Sequence, residues 1–137
     1  PHAIIRSGIG RTFQIPRPFR RLSILENATL AGYYGGGGVL GTAARRAAEA
    51  AAHRALATVG LPTDPGAMVD GLGAAGLKKL ELAKALATRP RLLLADESLG
   101  GLDEHEMEQA ADMLRRIRAE LGITIIWVEH IMGVLMR

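Results

Sequence analysis

No cysteine occurs in the 137 residues, which excludes disulfides, thiolate metal sites and cysteine nucleophiles. Aromatic residues are scarce at 4%. The four histidines, His2, His53, His105 and His130, include no pair at metal-ligand spacing, so zinc chemistry is not expected. No apolar run is long enough to span a bilayer. The longest, Leu92–Ala95 and Ile123–Val128 (interrupted by Thr124), have the length of buried strands. Charge of one sign is lacking too: 17 basic residues against 14 acidic leave +3, too little to argue by itself for nucleic acid. An initiating methionine, a signal peptide and a targeting tail are missing, and Pro1-His2 and Met136-Arg137 read as cut ends. With nearly half its residues apolar, the chain is expected to form one soluble α/β domain.

The elements follow from local pattern. Ile9–Gln14 (IGRTFQ) is a short β-leaning run closed by Pro16 and Pro18, which cannot continue a paired strand. Arg17, Arg20 and Arg21 cluster around Phe19. Ser23 stands three residues before Glu26, a capping-box pattern that opens a short helix in SILENATLAG. Gly35–Gly38 reads as a flexible loop; it lacks the lysine and hydroxyl of a phosphate-binding glycine loop.

Thr42–Val59 is alanine-rich, with Ala47, Ala51, Ala55 and Val59 recurring every four residues, and Gly60 and Pro62 end that helix. Residues 61–76 read as loop. A further helix, Leu77–Thr88, aligns Leu80, Ala83 and Leu86 and stops before Pro90. Arg91–Asp96 (RLLLAD) reads as a strand buried on both faces. Asp103 and Glu106 repeat the helix-start pattern, and Met107, Ala110, Leu114, Ile117 and Leu121 form one stripe up to Gly122. Ile123–Val128 is another buried strand.

Strand, helix and strand within about forty residues make a βαβ unit, so the two strands should be parallel. In such sheets the site lies at the carboxyl ends of the strands. Asp96, Glu97 and His130 fall there, as does Gln14 if the first strand joins the sheet. The first carboxylate of such a pair can hold Mg²⁺ through water, and the second can orient a water for in-line attack on phosphorus. Taken singly, Asp96 reads equally as an Asx turn and Glu97 as a solvated side chain, and His130 reads more readily as a hydrogen-bonded structural histidine than as a catalytic one. Gln14 alone carries almost no signal.

Several segments together resemble one family. RTFQIPRPFRRLSILENATLAG is similar to the Q-loop region of ABC ATPases of the branched-chain amino-acid importer group. LKKLELAKALATRPRLLLADESLGGLD resembles their signature helix, Walker B strand and D-loop, and ITIIWVEHIM their H-loop. The resemblance runs in order from Ile4 to Met136.

It implies a partial P-loop NTPase core of class α/β, with parallel strands and an α-helical subdomain. Residues 1–20 and 73–137 would belong to the core and 21–72 to the helical part. It further implies Gln14 as the glutamine sensing Mg²⁺ and the γ-phosphate, Asp96 as the Walker B aspartate and Glu97 as the base or water-orienting carboxylate. Asp103 would be the D-loop aspartate at a dimer interface, His130 the switch histidine, and Gly73, Ala74, Ala75 and Gly76 the signature position facing a partner's nucleotide. The implied cofactors are ATP and Mg²⁺. The implied partners are membrane-spanning permease subunits and a second ATPase subunit, at the cytoplasmic face of the cell membrane, with no nucleic acid expected.

Three departures qualify this picture. The loop G-x-x-x-x-G-K-S/T is absent from these residues, so the chain by itself is expected neither to bind ATP tightly nor to hydrolyse it. The signature serine is missing, Leu72 being followed by Gly73-Ala74-Ala75-Gly76. Ser98 stands where the family usually has proline. The resemblance also implies a sheet with the His-loop strand outside the Walker B strand, leaving Ile123–Val128 as a bare apolar edge through which the chain would self-associate. Two other readings remain: a soluble ABC ATPase acting on nucleic acid, which shares the same motifs, and a non-catalytic interaction fragment, which follows from the missing loop.

Overall fold

The computed structural model describes residues 8–12, 17–35, 41–96 and 103–128, of Asp96 and Val128 the backbone alone. Three strands, β1 (Ile9–Thr12), β2 (Leu92–Asp96) and β3 (Thr124–Val128), form one parallel sheet in the order β1-β2-β3. Both expectations, parallel pairing and a first strand in the same sheet, hold. The expected order holds as well, with β3 outside β2.

Both crossovers, β1 to β2 and β2 to β3, step in the same direction across the sheet. Right-handed connections therefore put their helices on the same face. The alternation of burial agrees: Gly10, Thr12, Leu93 and Ala95 are buried, whereas Ile9, Leu92 and Leu94 are half-buried and Arg11, Thr124 and Ile126 exposed. The expected burial of β2 on both faces is thus corrected to full burial on one. Among the described residues no helix covers the other face, and Ile126 on β3 is 49% exposed.

Helix α1 (Ile24–Gly35) starts at the expected capping box. The Glu26 N–H donates to Ser23 Oγ at 3.0 Å, and Glu26 Oε2 accepts from the Ser23 N–H at 2.9 Å. It ends at Gly35, so the first of the four glycines is helical rather than part of a loop. Helix α2 (Thr42–Val59) has the expected bounds, and Gly60 closes it in the left-handed conformation at φ 78°. Helix α3 (Ala74–Ala87) starts three residues before the expected Leu77. Two alanines next to Gly73 extend the first turn, and the Leu77 N–H donates to Gly73 O at 2.9 Å. A 3₁₀ turn at Val69–Gly71, with Val69 buried, interrupts the expected loop.

Helix α4 (Glu104–Leu121) buries Ala111, Met113, Leu114 and Ile117. Leu121, expected in that stripe, is 53% exposed and borders an open crevice with Ala51, Leu86 and Pro90. No helix among the described residues is long and apolar enough to cross a membrane.

The helices α1, α2 and α3 pack on one another, and the core runs from Ile24, Leu56 and Leu80 to Leu93 and Ile117 under the sheet. Gly32 allows the closest approach. A Cβ there would lie 2.9 Å from Ala87 O and 3.4 Å from Ala48 O, so α1 meets α2 and α3 backbone to backbone. Gly32→Ala is therefore expected to destabilise the fold by about 1–2 kcal/mol despite its better helix propensity, because backbone atoms must move. A urea-denaturation midpoint at or above that of wild type would contradict this close packing.

Candidate functional site

Parallel pairing brings the carboxyl ends of all three strands to one edge of the sheet. Thr12 pairs with Ala95, and Asp96 with Val128. In sequence, Gln14 follows β1, Glu97 follows β2 and His130 follows β3. Gln14, Glu97 and His130 lie outside the described residues, as does the side chain of Asp96. What is described is the backbone that carries the chain to this edge.

Two helices start near the same edge. Gly10, on β1, faces Ala85 and Pro90, while Arg17, beyond the end of β1, meets Glu81. Moving forward along the first segment thus means moving backward along α3, so the helix runs antiparallel to the strands and opens towards their carboxyl ends. Its N-cap, Gly73, makes no side-chain capping bond, and its first turn contains no acid. The main-chain N–H groups of Ala74, Ala75 and Gly76 therefore have no intrahelical partner and form a positive helix end, the feature that attracts anions. Lys78 and Lys79 follow in the next turn.

Asp103 starts α4, and its carboxylate is engaged. Oδ1 accepts from the Glu106 N–H at 2.8 Å, while Glu106 Oε2 accepts from the Asp103 N–H at 3.0 Å. The residue remains exposed, so capping leaves one face of the carboxylate open to solvent. Among the described residues no group of histidines and carboxylates could hold a metal ion.

Two buried polar side chains that sequence reasoning missed shape the basic segment behind Gln14. Asn27, 1% exposed on α1, accepts the Phe19 N–H at 2.8 Å through Oδ1. Its Nδ2 donates to Phe19 O at 3.0 Å, Leu22 O at 3.4 Å and Ser23 O at 2.8 Å. Glu81 on α3 accepts the Arg17 N–H at 3.3 Å. Segment 17–23 is thereby a fixed projection with Phe19 55% exposed at its tip, and Arg20 pairs with Asp70 at 3.1 Å. The available signal was an asparagine inside a helix and a lone acid in the run LELA, both unfavourable unless partnered.

Known proteins match this arrangement. The family model described as ABC transporter matches residues 1–100. A high-affinity branched-chain amino acid transport ATP-binding protein, LivG of Salmonella typhimurium, is 32% identical over 97% of this chain and 56% of its own length. BraF of Pseudomonas aeruginosa, described in the same words, is 32% identical over 98% of this chain and 56% of its own. The chain thus spans about half the length of these relatives. Among solved structures, cbiO1 from Clostridium perfringens, part of an ABC transporter complex, superposes with a TM-score of 0.79 at 25% identity, over 95% of this chain and 50% of that one. A dimeric bacterial ABC transporter cassette gives 0.75 at 27% identity, over 96% and 56%.

Proposed function

We propose, since the chain belongs to the ABC transporter ATPase family, that it forms part of the ATP-hydrolysing subunit of an importer for branched-chain or related amino acids. The observation that carries this is the common edge of β1, β2 and β3, from which Gln14, Asp96-Glu97 and His130 follow. The choice of solute class is supported by the likeness to LivG and BraF over nearly the whole chain. Relatives named for methionine and ribose import match it as well, which supports the importer class more broadly.

The roles follow from chemistry. Asp96 and Gln14 offer the hard oxygen atoms that suit Mg²⁺, either directly or through water. ATP supplies the phosphoanhydride bond whose cleavage powers transport. Glu97 holds the attacking water in line, and His130 faces the charge that develops on the γ-phosphate. The uncapped start of α3, Gly73 to Gly76, contributes main-chain donors to nucleotide held by a second subunit, without the usual serine hydroxyl. Asp103 lies at that same dimer interface. These 137 residues contain no lysine-bearing glycine loop, so they supply the γ-phosphate side of the site only.

The fixed projection at residues 17–23, with exposed Phe19 and three arginines, suits docking of a cytoplasmic loop of the permease at the inner membrane face. Residues 21–72 would then form the permease-facing helical part, between core parts 1–20 and 73–137. The uncharged edge TIIWV of β3 is where a further strand, or a second copy of the chain, would add.

The test is ATP turnover by the subunit that carries this chain. Turnover is expected to rise when the permease and an amino-acid-loaded binding protein are added, and to be indifferent to DNA and RNA. Turnover stimulated by nucleic acid and insensitive to the permease would replace the transport reading with the nucleic-acid one.

A further inference from the structure

We infer that Glu81 is a positioning residue that ties the segment behind Gln14 to the helix opening at Gly73. The inference rests on the transport reading for its purpose, and on geometry for the link itself. Glu81 is only 5% exposed. Its Oε1 accepts from Lys84 Nζ at 3.1 Å and from the Arg17 N–H at 3.3 Å.

A pair between residues 81 and 84 of one helix needs no burial, and on a surface it would contribute little. Burying the carboxylate costs desolvation, which argues for a further partner beyond its own helix. That partner is the main chain of Arg17, 64 residues away.

Arg17 stands between Pro16 and Pro18. Proline has no N–H, so Arg17 carries the only amide donor of this tripeptide, and it goes to Glu81. Pro18 also restricts the backbone of Arg17. At its far end the same segment is held by Asn27 of α1 through the four bonds to Phe19, Leu22 and Ser23. The segment is therefore anchored to α3 at Arg17 and to α1 at Phe19. A displacement of α3, the helix facing the partner's nucleotide, is transmitted at Glu81 to the segment that presents Phe19 to the permease.

The test compares Glu81→Met with Glu81→Gln in this chain. Methionine keeps the volume without an acceptor or a buried charge, and Lys84 can still reach solvent; glutamine keeps the acceptor. Hydrogen exchange at the Arg17 amide is expected to be about tenfold faster in Glu81→Met and near wild type in Glu81→Gln. Amides of Ala51–Leu56 should exchange as before in both. Wild-type exchange at Arg17 in Glu81→Met, or equally fast exchange in Glu81→Gln, overturns the link.

In the subunit assembled with its permease, Glu81→Met is expected to reduce permease-stimulated turnover several-fold without changing KM for ATP, and Glu81→Gln to restore it. Unchanged stimulation in Glu81→Met overturns the coupling role. If the exchange results hold but wild type shows no ATP turnover, the transport reading fails while the link stands.

Discussion

Asn27→Ala is expected to lower the unfolding free energy by about 3 kcal/mol, read as a fall in the urea midpoint at unchanged slope. The side chain is buried, and its amide oxygen accepts the Phe19 N–H at 2.8 Å. Truncation leaves that donor without its acceptor and takes one donor each from the Phe19 and Ser23 carbonyls, which keep the Leu22 and Asn27 N–H. An unsatisfied buried group costs about 1–3 kcal/mol, and a small cavity adds to it. Asn27→Asp sharpens the test. It keeps the acceptor for Phe19 but turns a second oxygen towards three carbonyls, so it is expected to be no better than alanine. A variant within about 1 kcal/mol of wild type would show that the segment holds itself without Asn27.

Glu97→Gln is expected to reduce ATP turnover of the subunit by about 10²–10³-fold with little change in KM. Glutamine has the shape of glutamate and still hydrogen-bonds to water, but it carries no charge and cannot take a proton from the attacking water. Nucleotide binding is spared because no phosphate donor is removed. A loss confined to KM would move Glu97 out of the catalytic role, and turnover within a few-fold of wild type would leave Asp96 or His130 as the group that orients the water.

What could be read from the sequence was what is decided locally. Ser23 with Glu26 and Asp103 with Glu106 are caps made within four residues, and both appear as expected. Gly60 and Gly122 end helices because left-handed backbone favours glycine, at φ 78° and 64°. Apolar runs sufficed to place β2 and β3. The errors came where distant chain decides. Gly73 and Gly76 looked like loop until the turn around Ala74 and Ala75 was seen to start α3. Leu121 fits the stripe of α4 by spacing, yet it lies beyond what the sheet and neighbouring helices cover. Nothing in the local pattern marks the partners of Glu81 or Asn27, since these belong to another element or to a turn. For the candidate site, the common edge was legible from the strand–helix–strand pattern, and the strand order followed from the family resemblance.

The sheet register also has a consequence for how the chain is made. β1 pairs residue 9 with residue 92, and α1, α2 and α3 all lie between. The three helices are neighbours in sequence and can associate early, whereas a loop this long is slow to close. β1 therefore leaves the ribosome before the other two described strands and waits on the order of ten seconds, at ordinary elongation rates, until its partner is synthesised. Its only long side chains are Ile9 and Arg11, which makes this four-residue strand a poor nucleus for aggregation while it waits. The more apolar β2 and β3 emerge later and close together, when α3 is already in place to receive Leu93.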